Sequence, residues 1–127
     1  MTAGWNVEIA WHPELTVVTP VGEINQANVE SLRAAMQAAL AARDQDQPGG
    51  TVCCDLSQVS FMDSSGLGAL IAAHRRAARD DVHLCLAGAH GAVFRLLQLT
   101  QIDRAISVYE SVSTARTATA RHAHGGG

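Results

Sequence analysis

Apolar and polar residues alternate with a period of two at the start of the chain, which is typical of half-buried β-strands. The first alternating run covers residues 7–11 and the second covers 15–21. His12, Pro13 and Glu14 stand between the two runs, so we predict a β-hairpin with a short turn. Gly22 breaks the pattern and is predicted to end the second strand.

The period then changes to that of an α-helix. Asn28 is predicted to be the N-cap, and Glu30 falls in the first turn, where its negative charge interacts favourably with the helix dipole. The apolar residues that follow recur at helical spacing: Val29, Leu32, Ala35, Met36, Ala39 and Leu40. A polar loop over 44–50, with one proline and two glycines, is predicted to stop this helix.

Strand and helix patterns alternate through the rest of the chain. The apolar run over 51–56 is typical of an inner strand covered on both faces, and further strands are predicted over 82–87 and 105–109. Short helical spacing around Val93 predicts a third helix between them. The second helix is predicted to bury one stripe of residues: Leu67, Leu70, Ile71, His74 and Ala78.

This order predicts an α/β fold with a mixed, largely parallel sheet of four to five strands and helices packed on it. After Ser111 the apolar residues are chiefly alanines between threonines, so any final helix capped by Ser111 would be weak. We therefore predict one domain over 1–115 and a disordered tail over 116–127.

Composition excludes several classes of function. The formal net charge of the 127 residues is −3 and there is no lysine, so we do not expect nucleic acid as a partner. No stretch reaches the ~20 apolar residues that span a bilayer, and the N-terminus lacks the pattern of a signal peptide. Three cysteines, two of them adjacent in a predicted strand, indicate buried, reduced thiols in a cytoplasmic protein.

The most informative segment is 59–70, where Ser64 and Ser65 follow Asp63 at the predicted start of the second helix. One serine suffices to cap a helix, so the second would remain available for chemistry. Gly66 and Gly68 lower the helix propensity by roughly 1 kcal/mol each, which favours a surface that another molecule approaches closely. The serines also follow a strand, at the carboxyl end where open α/β sheets place their sites.

This arrangement suits a residue that gains and loses a phosphate. The start of a helix tolerates a negative group, so a phosphoserine would leave the fold intact and act on a partner. A phosphate adds about −1.5 to −2 charges at neutral pH, beside Asp63. We therefore interpret the segment as an on–off switch for binding.

Other chemistries fit the residues less well. Gly66-Leu67-Gly68 lacks the third glycine of a dinucleotide fingerprint, and a P-loop would need a lysine. Four of the six histidines, His12, His74, His83 and His90, have no ligand-like spacing, and only His122 and His124 of the predicted tail could bind stray metal. Ser64 lacks the Gly-x-Ser-x-Gly pattern of a nucleophile. We predict no cofactor, no metal site and no catalytic residue.

The run Phe61-Met62-Asp63-Ser64-Ser65-Gly66-Leu67-Gly68, preceded by Asp55-Leu56-Ser57 and Val21-Gly22-Glu23-Ile24, resembles the bacterial anti-sigma-factor antagonists of the STAS domain family. The resemblance extends over about 7–113. It implies a mixed sheet with helices and no enzymatic activity. Family members bind a serine-kinase anti-sigma factor while unphosphorylated and so release a sigma factor for transcription.

The resemblance also implies roles for residues. The kinase phosphorylates the serine directly after the motif's aspartate, which is Ser64 here, and a phosphatase reverses the reaction. The family usually has an aspartate where this chain has Asn25. The predicted partner-binding residues are Asn25, Asp63, Ser64, Ser65, Gly66 and Leu67.

The sequence leaves three hypotheses open. The first is a cytoplasmic, non-enzymatic antagonist, monomeric or weakly dimeric, that binds neither nucleic acid nor membrane. The second is a STAS-type accessory or docking domain of a membrane transporter complex. The third is a small enzyme or nucleotide sensor.

Overall fold

The structure is a computed structural model and describes residues 5–46 and 50–125. In chain order the elements are β1 (Asn6–Trp11), β2 (Leu15–Ile24), α1 (Val29–Asp46), β3 (Thr51–Asp55), β4 (Val59–Met62), α2 (Ser64–Arg79), β5 (His83–Ala87), α3 (Gly91–Leu99), α4 (Ile102–Ala105), β6 (Ser107–Tyr109) and α5 (Val112–Gly125).

The strands form one mixed sheet, which confirms the predicted fold class. Strand order is β1-β2-β3-β5-β6, with β1 antiparallel to β2 as the predicted hairpin and the other neighbours parallel. The sheet has six strands, one more than the upper limit of the prediction, because β4 is separate from β3. β4 pairs in parallel with the far end of β2, beyond the part that β3 covers.

Strand β2 is longer than its sequence pattern predicts. It continues through Gly22, where the prediction ended it, as far as Ile24. Gly22 has a φ of 107°, which favours glycine, and the pairing with β4 shifts register directly after it. The irregularity at Gly22 thus lets one strand pair with β3 along its first half and with β4 along its second half.

Helix α1 begins after Asn28, as predicted, but ends later than predicted, at Asp46. The side chain of Asn28 does not bond to the first turn of the helix. Its Oδ1 accepts from the amide of Asn25 at 2.9 Å, and its Nδ2 donates to the carbonyl of Glu23 at 2.8 Å. Of the predicted 44–50 loop, residues 47–49 lie outside the described residues, as do 1–4 and 126–127.

The sheet separates two apolar layers. The larger layer contains the buried faces of α1, α2 and α3, together with Val52, Cys54 and Leu86 of the central strands. The opposite face of the same strands, including Cys53 and Cys85, is covered by α5 through Ala115.

Helix α5 is longer than the sequence indicated. The hydroxyl of Ser111 accepts from the amide of Thr114 at 3.1 Å, which confirms the predicted cap. The helix continues from Val112 to Gly125, through most of the segment that was predicted to be disordered. Burial of Ala115 against the sheet supplies tertiary packing that a threonine-rich and alanine-rich sequence does not reveal. The domain boundary after residue 115 stays a prediction.

All three cysteines are free and buried, as the sequence predicted. Cys53 and Cys85 are register partners on β3 and β5. The hydrogen bond with Cys85, followed by burial, raises the pKa of the Cys53 thiol, and burial raises the pKa of Cys54. A raised pKa disfavours the thiolate, so these thiols are structural rather than reactive.

Arg43, near the end of α1, ties that helix to the β1–β2 hairpin. Its side chain is 7% exposed. Nε donates to Thr16 Oγ1 at 2.7 Å, Nη1 donates to the Pro13 carbonyl at 2.8 Å, and Nη2 donates to the His12 carbonyl. A buried charge of this kind is tolerated because its donors are used.

We predict that Arg43→Met lowers the free energy of unfolding by about 2–4 kcal/mol, because several charge-assisted hydrogen bonds are lost and buried acceptors lose their donors. Urea denaturation measures the change. Arg75→Met, at an exposed position of α2, is the control and should change stability by no more than about 0.5 kcal/mol. Equal effects of the two substitutions would show that Arg43 does not hold the hairpin to α1.

Candidate functional site

Helix α2 is capped by Asp63 and not by either serine. Asp63 has an extended backbone, with φ −97° and ψ −172°, and its Oδ1 accepts from the amide of Ser65 at 2.8 Å and more weakly from that of Gly66 at 3.4 Å. The interpretation that one of the two serines is a cap is therefore wrong. Aspartate and serine are equally good N-caps, so the sequence alone does not show which of Asp63, Ser64 and Ser65 caps the helix. Neither serine is needed for capping.

The two serines lie on different sides of α2. Ser64, the first residue of the helix, is exposed, whereas Ser65 is half-buried. Successive helical residues are rotated by about 100°, so Ser65 shares a face with Ala69 and Ala72, which line a groove against α1. Ser64 is thus the serine that a second protein reaches from solvent.

Asn25 lies next to Asp63 in space. Ile24 and Met62 are register partners on the parallel strands β2 and β4, and Asn25 and Asp63 are the residues that follow them. The amide of Asp63 also donates to the Ile24 carbonyl at 3.1 Å. The structure therefore brings together the predicted site residues Asn25 and 63–67 at the carboxyl ends of two adjacent strands.

The side chain of Asn25 is used within its own turn. Its Oδ1 accepts from the amide of Ala27 at 2.9 Å. A carboxylate oxygen could accept the same bond, so the family's aspartate would fit this turn. Asparagine in place of aspartate at position 25 therefore removes a negative charge from the surface of the site, while the hydrogen bond within the turn is kept.

The two glycines of the motif have different roles. Gly66 is buried, and a Cβ there would lie 2.4 Å from Met62 Cγ and 2.9 Å from Ile24 Cγ2. Gly68 is half-buried, and its Cβ would meet Arg33 Nη2 at an ordinary 3.6 Å. Gly66 therefore lets α2 begin directly on β2 and β4, and the expectation that both glycines open the surface is wrong for Gly66.

The buried face of α2 is rotated from the predicted stripe. The prediction placed Leu67, Ile71, His74 and Ala78 in the core beside Leu70, but Ile71 and Ala78 are exposed and the other two half-buried. The face that is buried is made mostly of small residues: Gly66, Ala69, Leu70, Ala73 and Ala77. Small residues carry a weak hydropathy signal, but they allow α2 to pack closely on its neighbours.

Three large apolar side chains on β4, α2 and α3 are exposed, which the sequence analysis did not predict. Phe61 of β4 is 47% exposed, Ile71 of α2 is 37% exposed, and Phe94 of α3 is 42% exposed. Phe61 is three residues before Ser64, Ile71 lies two turns further along α2, and α3, which carries Phe94, packs against β4. Their hydrophobicity pointed to the core, and nothing in a single sequence separates such residues from core residues.

The described part of the chain contains neither a metal cluster nor a membrane-spanning helix. Among the described side chains, over 5–43 and 50–119, no three His, Cys, Asp or Glu groups gather as a metal site. Within 5–46 and 50–125, no helix combines the length and apolar character needed to cross a bilayer.

Comparison with known proteins places these features in a family. The model of the STAS domain matches residues 6–115. The chain belongs to the STAS domain family. This confirms the family that the octapeptide around Ser64 indicated.

Several solved structures share the fold of this STAS domain. An anti-sigma factor antagonist from Mycobacterium paratuberculosis is 25% identical, with a TM-score of 0.79 over 91% of this chain and 93% of that chain. The phosphorylated form of the Bacillus cell fate determinant SpoIIAA is 20% identical, with a TM-score of 0.64 over 90% and 98%. The STAS domain of a SulP transporter from Vibrio cholerae is 21% identical, with a TM-score of 0.70 over 91% and 88%. The last two likenesses show the fold alone.

We predict opposite effects of alanine at the two glycines of α2. Gly66→Ala should destabilise the domain by about 1–3 kcal/mol, because the new methyl group clashes with Met62 and Ile24. Gly68→Ala, the matched control, should stabilise it by up to about 1 kcal/mol, because the methyl group fits and alanine favours the helix. Denaturant unfolding of both variants measures this, and a Gly66→Ala domain as stable as wild type would contradict the close packing.

Proposed function

We propose that this STAS domain is a non-enzymatic, cytoplasmic anti-sigma-factor antagonist. In its unphosphorylated form it binds a serine-kinase anti-sigma factor and thereby releases a sigma factor. The kinase inactivates it by phosphorylating Ser64, and a phosphatase restores it. The similarity to the antagonist from Mycobacterium paratuberculosis, over nearly the full length of both chains, supports the general class.

The observation that carries the proposal is the exposure of Ser64 at the start of a helix that Asp63 caps. The hydroxyl is accessible to a kinase and has no part in capping α2. Its modification therefore changes the surface, while the hydrogen bonds that start the helix remain. A switch that leaves its own fold intact needs such a residue.

The surface around Ser64 is suited to docking a protein. Asn25, Asp63, Ser65 and Leu67 surround the serine, and Gly66 holds α2 close to β4 beneath them. Exposed aromatic and aliphatic side chains on the bordering elements supply apolar contact area of the kind that anchors protein interfaces. We propose that the partner covers Ser64 and some of these apolar side chains together.

Electrostatics then gives the direction of the switch. If the bound partner places one negative group about 4 Å from the phosphate, each added charge costs on the order of 4 kcal/mol at an effective dielectric constant near 20. Solvent reduces this value, but ~1.4 kcal/mol already changes affinity tenfold. Phosphorylation therefore favours dissociation.

The alternative of a transporter accessory domain has less support. The likeness to the SulP domain from Vibrio cholerae, at 21% identity, concerns the fold that all these proteins share. No feature of the Ser64 surface favours a transporter over a kinase.

We predict that phosphorylation of Ser64 weakens binding to the cognate kinase at least tenfold. Ser64→Ala should bind like the unmodified protein and take up no phosphate, and Ser64→Glu should bind more weakly. Calorimetry measures the affinities, and intact-mass analysis after incubation with ATP and the kinase measures the modification. Ser65→Ala is the control and should still be phosphorylated.

Two outcomes would contradict the proposal. Phosphate uptake by Ser64→Ala equal to that of wild type would place the modification elsewhere. A phosphorylated protein that the kinase binds as tightly as the bare form would remove the switch.

A further inference from the structure

A phosphate on Ser64 would lie at a helix start where Asp63 already accepts from two of the first amides. The carboxylate of Asp63 accepts from the amides of Ser65 and Gly66. Asp63 is also a like charge directly beside the modified residue. These two amides are therefore occupied, and a nearby cationic side chain is the other protein group that can stabilise the added charge.

Arg33 of α1 lies one turn from that position. Its Nη2 is 3.6 Å from the point that a Cβ of Gly68 would occupy, so the guanidinium lies over the bare backbone of α2. Gly68 is four residues after Ser64 and three after Ser65, so it neighbours both serines on the helix surface, with about 5–6 Å between such positions. The guanidinium of Arg33 therefore lies about one helical turn from the exposed Ser64.

The present contacts of Arg33 allow it to move. Its Nε lies 3.6 Å from the Glu30 carboxylate, which is longer than a hydrogen bond, and the two side chains are 34% and 84% exposed. Exposed ion pairs of this kind are weak and exchange readily. A dianionic phosphate would compete well, because arginine binds phosphate through two parallel hydrogen bonds.

We propose that Arg33 is the intramolecular partner of a phosphate on Ser64. The inference rests on the proposed modification of Ser64 and adds the residue that stabilises the modified state. Arg33 binds the phosphate across Gly68 and favours its dianionic form at neutral pH.

The test uses the full chain with phosphoserine introduced at position 64 during translation, so no kinase is required. Phosphorus NMR at physiological salt measures the second pKa of the phosphate. We expect that Arg33→Gln raises this pKa by about half a pH unit, the effect of one charge at about 5 Å in a solvated setting. Arg33→Lys keeps the charge, so its phosphate pKa should lie between the values of wild type and Arg33→Gln.

Arg75→Gln is the matched control, because it removes the same charge at a greater distance from the phosphate. Arg75 lies about 16 Å from Ser64 along the axis of α2, which exceeds the Debye screening length. Asp63, Glu23 and Glu30 are the acidic groups near the helix start, and they are present in every variant, so the comparison isolates Arg33. Identical phosphate pKa values in wild type, Arg33→Gln and Arg75→Gln would overturn the inference.

The two proposals fail in different ways. If the phosphate titrates as expected but the modified protein still binds the kinase tightly, the switch is wrong and the Arg33 contact stands. If modification abolishes kinase binding while Arg33→Gln leaves the pKa unchanged, the switch stands and the Arg33 contact is wrong.

Discussion

The hydrogen bond from the Ser65 amide to the Asp63 carboxylate fixes the geometry on which the site depends. It starts α2 immediately after β4, with no intervening loop, and the buried Gly66 allows this start to lie directly on Met62 and Ile24. The Asp63 carboxylate accepts from the amides of Ser65 and Gly66, so no serine hydroxyl is needed as their acceptor. Ser64 is consequently exposed at the first position of α2, and its side chain does not cap that helix.

This division of roles explains how a small domain can carry a reversible charge. Buried contacts of Gly66, Met62 and Ile24 hold α2 in place, and they lie on the side of the helix away from Ser64. A phosphate therefore changes the electrostatics of a docking surface that is otherwise bordered by exposed apolar side chains. In the proposed account, Arg33 of α1 stabilises the phosphate on Ser64. Asn25, in the turn after β2, adds no charge beside it.

Much of the fold could be predicted, because the hairpin, α1 and the central strands have clear periods of two or 3.6. The strand before the serines was predicted, but not that β4 is separate from β3, since two of its four residues are exposed and its partner is the far end of β2. The buried face of α2 was misplaced because Ala69, Ala73 and Gly66 carry little hydropathy signal. The predicted site residues 63–67 are contiguous, and Asn25 joins them because it follows the strand that pairs with β4. Their roles stay a prediction. The position of Arg33 over Gly68 joins residues 35 apart in the chain, and no local pattern indicates it.

The most direct test of the central claim is amide hydrogen exchange of the protein with and without phosphoserine at position 64. The account predicts that the amides of Ser65, Gly66 and the rest of α2 stay protected, and that the free energy of unfolding changes by no more than about 1 kcal/mol. Loss of protection along α2, or a large drop in stability throughout the domain, would show that the phosphate acts by disrupting the fold and would contradict the account.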